Sequence, residues 1–175
     1  MYEVVLLVER ELTQLDAEQV AGLHQSVGEP VHYQVLLPVE DASAQVQSAL
    51  GSIARYDLTP PVDSSIHDTL ARLDQLLVVE TEEKLFHSIA LLRATGAEAD
   101  GELIPQGPVA ALVDAVQRRG AREAIVLTEP HAVRDFLHVD WTSKARRVLG
   151  IPLLHLLEHE TFDEQAGGGE GVSGA

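Results

Sequence analysis

Residues 107–129 read GPVAALVDAVQRRGAREAIVLTE, and two periodicities meet inside them. In the first half Val109, Leu112, Val113 and Val116 recur at helical spacing, so one face is apolar. Gly107-Pro108 opens that helix, and Arg118, Arg119 and Gly120 close it with the charge and backbone freedom suited to a C-terminus. In the second half REAIVLTE, built around the apolar run AIVL, reads as a strand. A helix feeding directly into such a strand is half of a β-α-β unit.

The same cadence extends in both directions. Residues 2–9, YEVVLLVE, read as a second strand, buried on both faces; Thr13 and Asp16 then give a capping-box-like start to a helix ending near Gly28. Residues 32–40, HYQVLLPVE, form the next strand, with Pro38 marking its end. TEEKLFHSIALLRATG predicts a long helix in which Thr81 caps, Leu85, Ile89 and Leu92 form the stripe, and Gly96 terminates. The preceding VVE reads equally as more helix or as an extended piece. EADGELIP (98–105) is a weak strand interrupted by Gly101, and a helix around Thr142 to Leu149 precedes a last strand, IPLLHLLEH (151–159). Strands alternating with helices predict an α/β fold: a parallel sheet with helices on both faces.

Two segments stand apart. Residues 41–77 carry two short amphipathic stretches around Thr59-Pro60-Pro61 and read as a helical insertion beside the sheet. The tail QAGGGEGVSGA lacks apolar content to offset its ordering entropy, so 166–175 are expected to be disordered and 1–165 to form one domain.

Composition narrows the function classes. Of 175 residues 45% are hydrophobic but only 4% aromatic, which suits a core of Leu, Val, Ile and Ala under helices. The formal charge of −16 repels polyanions and argues against a nucleic-acid surface. Cysteine is absent, which removes disulfides, thiolate zinc sites and thiol catalysis. No apolar stretch reaches membrane-spanning length and no basic start precedes a signal core, so a cytoplasmic location is the expectation.

In open α/β sheets ligands bind at the carboxyl ends of the strands. TEPHAVRDFLHVDWTSKARR (128–147) follows one such end and concentrates candidate chemistry. On a helix His131, Asp135 and His138 would share a face and could hold Zn²⁺ or Fe²⁺, although eight histidines produce such clusters by chance. Thr142, Ser143 and Asp140 read as helix caps rather than as parts of a triad, since no G-x-S-x-G elbow exists. Glu9, Glu11, Glu40 and Asp41 could gather around Mg²⁺ or simply be solvated. Neither G-x-x-x-x-G-K-[ST] nor G-x-G-x-x-G occurs.

The order of elements, and above all ATGAEAD…GPVAALVDAV…GAREAIVL, resembles the universal stress protein family. The resemblance implies a five-stranded parallel Rossmann-like sheet, a part in stress response and a homodimer formed through the last strand, 151–159. Glu9 corresponds most nearly to the family's acidic residue on the first strand, near the adenine in ATP-binding members. Those members carry G-x2-G-x9-G-[ST] after the fourth strand. That spacing places Thr128, His131 and Trp141 at the glycine positions and Thr142 at the hydroxyl position, so all three glycines are missing. Side chains there would fill the space that phosphate and its backbone donors need. The reading that follows is a dimeric binding or regulatory protein with Glu9, Thr128, His131, Trp141 and Thr142 as candidate ligand-binding residues and no resident cofactor. The alternatives are a nucleotide-binding (ATP) or metal-dependent enzyme working near His131, and an interaction module that uses the 41–77 insertion.

Overall fold

The computed structural model describes residues 1–39, 64–104, 107–128 and 148–157. Five strands, β1 (Tyr2–Val8), β2 (Val31–Pro38), β3 (Glu98–Ile104), β4 (Glu123–Thr128) and β5 (Leu153–Leu157), form one parallel sheet in the order β3-β2-β1-β4-β5. Among the described residues the helices α1 (Gln14–Leu23), α2 (Ser64–Ala94) and α3 (Pro108–Arg119) accompany them. The fold is α/β with helices on both faces.

β1 explains why its sequence does not alternate. It pairs with β2 on one side and β4 on the other, and Val4 to Val8 are all buried. Val4, Leu6 and Val8 turn to one face, where Val20 of α1 and Leu85, Ile89 and Leu92 of α2 cover them. Val5 and Leu7 turn to the other, under Leu112, Ala115 and Val116 of α3. A strand in the centre of a doubly covered sheet has no solvent face to make polar.

Local signals hold where they are short-ranged. Thr13 caps α1, and both halves of the box form: Asp16 N–H donates to Thr13 Oγ1 at 3.3 Å, and Thr13 N–H donates to Asp16 Oδ2 at 2.8 Å. α1 stops at Leu23, earlier than Gly28, because turns at His24, Gln25 and Val27 take over the backbone bonds. Gly96 and Gly120 end α2 and α3 in left-handed conformations, at φ 93° and 62°, which a Cβ would penalise.

Thr81 differs from its expectation. It lies inside α2, and its hydroxyl donates to Leu77 O at 2.6 Å instead of capping a new helix. A threonine can bond to the carbonyl four residues back as well as to a terminal N–H, so VVE continues one helix from Ser64 to Ala94. Gly101 does not interrupt β3, which runs through it. The remainder of the expected 41–77 insertion before Ser64, residues 142–147 of the helix expected around Thr142 to Leu149, and the 166–175 tail lie outside the described residues.

Candidate functional site

After β1 the chain moves through β2 to β3, then crosses back to place β4 on the other side of β1. The strand order therefore reverses between β1 and β4, and their carboxyl ends form the crevice where such sheets take ligands. Two expected site residues meet there. Glu9 N–H donates to Leu127 O at 3.2 Å, extending the β1–β4 pairing, and Thr128 ends β4 beside it. Val8, Glu9, Pro38, Leu127 and Thr128 border a notch of about 10 Å³. On the α2 side Glu9, Arg10, Pro38, Thr81 and Lys84 border a larger cleft of about 140 Å³.

Thr128 is a buried polar side chain of the crevice. It is 2% exposed, and its Oγ1 lies 2.7 Å from His155 Nε2 on the neighbouring strand. Burial holds the His155 imidazole below its ordinary pKa, because desolvation disfavours the charged form. The unfolded chain therefore takes up this proton near pH ~6.5 while the folded chain takes it up only at lower pH. Stability from this group is complete above about pH 6.5 and declines as pH falls toward the folded value. Urea unfolding between pH 5 and 8 is expected to show the decline in the parent and a smaller one in His155→Gln; identical profiles would remove the assignment.

Other chemistry sits around the crevice. Ser88 Oγ accepts from Leu12 N–H at 3.0 Å and donates to Lys84 O at 2.9 Å, tying the loop after β1 to α2. His87 bonds to Glu11 at the surface. Sequence reasoning missed both His155 and Ser88 as contributors here. His155 could have been found from the single polar residue in the otherwise apolar LLHLL. His131, Trp141 and Thr142, together with Asp135 and His138 of the metal reading, lie outside the described residues. Among the described residues no three His, Asp or Glu side chains are grouped to hold a metal ion, and no helix is long and apolar enough to cross a membrane.

No protein-family model matches the sequence, and no curated protein matches it. Solved structures do match. A protein of the universal stress protein family from Arabidopsis thaliana, determined with AMP bound, superposes at a TM-score of 0.51 with 7% identity, covering 94% of this chain and 95% of that one. A hypothetical protein whose biochemical function was assigned from its structure gives a TM-score of 0.54 with 13% identity, covering 92% and 99%. A universal stress protein from Archaeoglobus fulgidus in complex with dAMP gives 0.46 with 16% identity, covering 89% and 97%. The chain has the universal-stress-protein fold.

Proposed function

We propose that this chain is a dimeric binding or regulatory protein of the universal-stress-protein kind, that its ligand site lies at the carboxyl ends of β1 and β4, and that it does not hold ATP in the family's usual manner. The observation that carries this reading is Thr128. A phosphate cradle needs backbone N–H groups that an anion can approach closely. At the first position of the family's glycine spacing this chain has a buried threonine whose hydroxyl is held by His155. His131 and Trp141 take the other two glycine positions in the sequence. The AMP bound to the Arabidopsis protein supports a ligand of nucleotide size in this fold.

Thermal unfolding with AMP and ATP, each with and without Mg²⁺, tests the nucleotide reading. A ligand at a hundred times its Kd stabilises the native state by about 2.7 kcal/mol, a shift of several degrees. Millimolar nucleotide is expected to move Tm no further than Mg²⁺ alone. A shift with ATP that survives Glu9→Gln but disappears in Thr128→Val would show that the nucleotide uses this loop and would overturn the reading.

Edge chemistry supports the dimer. β3, one sheet edge, carries Glu98, Asp100 and Glu102, and charge on an edge strand discourages pairing. β5, the other edge, reads LLHLL, without an acid or base apart from His155. A second copy pairing along β5 would remove an apolar edge that otherwise invites aggregation. Light scattering on a size-exclusion column at micromolar concentration is expected to give twice the chain mass of 18.9 kDa; a monomer would exclude the dimer.

A further inference from the structure

At the amino end of the sheet, remote from the β1–β4 crevice, a groove of about 770 Å³ runs between α1 and the last turns of α2. Its size falls within the range of small-molecule sites. Leu91, Ala94 and Ala97 supply an apolar wall, and Tyr33 and His24 lie at its base. Those two rings belong to a bonded chain. Tyr33 Oη is 2.8 Å from His24 Nδ1, Tyr33 O–H also reaches Val20 O at 3.2 Å, and His24 Nε2 is 3.4 Å from Glu123 Oε2, which accepts from Tyr2 O–H at 3.3 Å. Tyr2, His24 and Tyr33 stand ring beside ring, with centroids 5.6 and 5.5 Å apart. The base of the groove is thus held in one arrangement from three strands and a helix end.

The charge of the lining has one sign. Glu18 and Glu29 line the groove, and among the described residues no lysine or arginine does. Glu29 is already answered by Arg122 and by the amino terminus at 2.7 Å. Glu18 bonds to the neutral amide of Gln14 at 2.8 Å, and among the described residues no ion pair joins it to a cation. The last turn of α1, which ends here, holds no basic residue, so the negative end of its dipole adds to the same field. The one base in the last turn of α2, Arg93, donates instead to Ala99 O at 2.9 and 2.7 Å.

An apolar wall beside an uncompensated carboxylate fits a ligand with an alkyl body and a positive head. We propose that this groove is a binding site for an organic ammonium ion, with its chain against Leu91, Ala94 and Ala97 and its charge on Glu18.

Titration calorimetry of the intact protein with n-hexylammonium chloride tests the site, with hexan-1-ol as the uncharged probe. Because the chain carries −16, any cation gathers loosely around it, so a second variant is required. Asp114→Asn removes a surface charge on α3, across the sheet from the groove. The expected result is saturable 1:1 binding of the ammonium, weakened at least 10-fold by Glu18→Gln and at least 10-fold for the alcohol, yet within 2-fold in Asp114→Asn. Ala94→Trp, which fills the groove from an exposed helix position, is expected to abolish binding while circular dichroism stays unchanged. Equal weakening by Glu18→Gln and Asp114→Asn would reduce the effect to general counter-ion attraction. Equal binding of the alcohol, or no saturation, would also overturn the proposal.

Discussion

Gly101→Val is expected to destabilise the fold by about 3 kcal/mol, the upper end of ordinary overpacking penalties. Gly101 sits inside β3, paired with Val35 of β2. A Cβ there would come 2.7 Å from the Val35 carbonyl oxygen and 2.9 Å from Leu85 Cδ1. Leu85 could change rotamer, at the cost of its own packing in the core over β3. The carbonyl belongs to the β2–β3 ladder and cannot retreat without losing pairing, so the clash is relieved only by moving the edge strand. For a chain of this size 3 kcal/mol corresponds to a Tm lower by about 6–12 °C. Gly101→Ala is expected to lose less, about 1–2 kcal/mol, because it adds only the first clashing atom. Urea midpoints with unchanged m-values would measure both; a valine variant within 0.5 kcal/mol of the parent would mean that β3 can shift at little cost.

Gly101 also shows where the sequence is legible and where it is not. Read along the chain, a glycine in EADGELIP weakens the strand; only the approach of Val35 and Leu85, far away in sequence, gives it a packing reason. Thr13–Asp16, Gly96 and Gly120 were readable because each acts on atoms within a few residues of itself. Thr81 is ambiguous in the sequence for the same kind of reason: its hydroxyl has two local partners to choose from, and the continuation of α2 decides between them. The candidate site divides likewise. The juxtaposition of Glu9 and Thr128 follows from alternating elements and the rule of strand-order reversal. The Thr128–His155 bond needs the β4–β5 register, in which Thr128 opposes Leu157 and Val126 opposes His155, and no spacing in the sequence encodes that. The Tyr2–His24–Tyr33–Glu123 chain is harder still, since it draws on four elements.

Leu6→Ala is expected to cost about 4 kcal/mol, within the 2–5 kcal/mol seen for buried Leu→Ala changes. The spread of that range reflects how far the surroundings collapse into the space left behind, and Leu6 sits where collapse is hardest. It is fully buried on the central strand, with Val35 of β2 and Ile125 of β4 in register on either side. Both neighbours are fixed by backbone ladders, so collapse would have to come from the helical layer, where Leu85, Ile89 and Leu92 on α2 and Val20 on α1 belong to the same core. Leu154→Ala gives the contrast: Leu154 lies on edge strand β5, half-buried against the same core, and about 1–2 kcal/mol is expected because solvent already touches it and the edge can adjust. A loss at Leu6 no larger than at Leu154 would mean that the helical layer follows the sheet inward. The outcome bears on the crevice as well, because Glu9 directly follows the same strand, three residues beyond Leu6. If the layer is stiff, Leu6→Ala lowers stability while the Thr128–His155 contribution to the pH profile persists; if it yields, both change together.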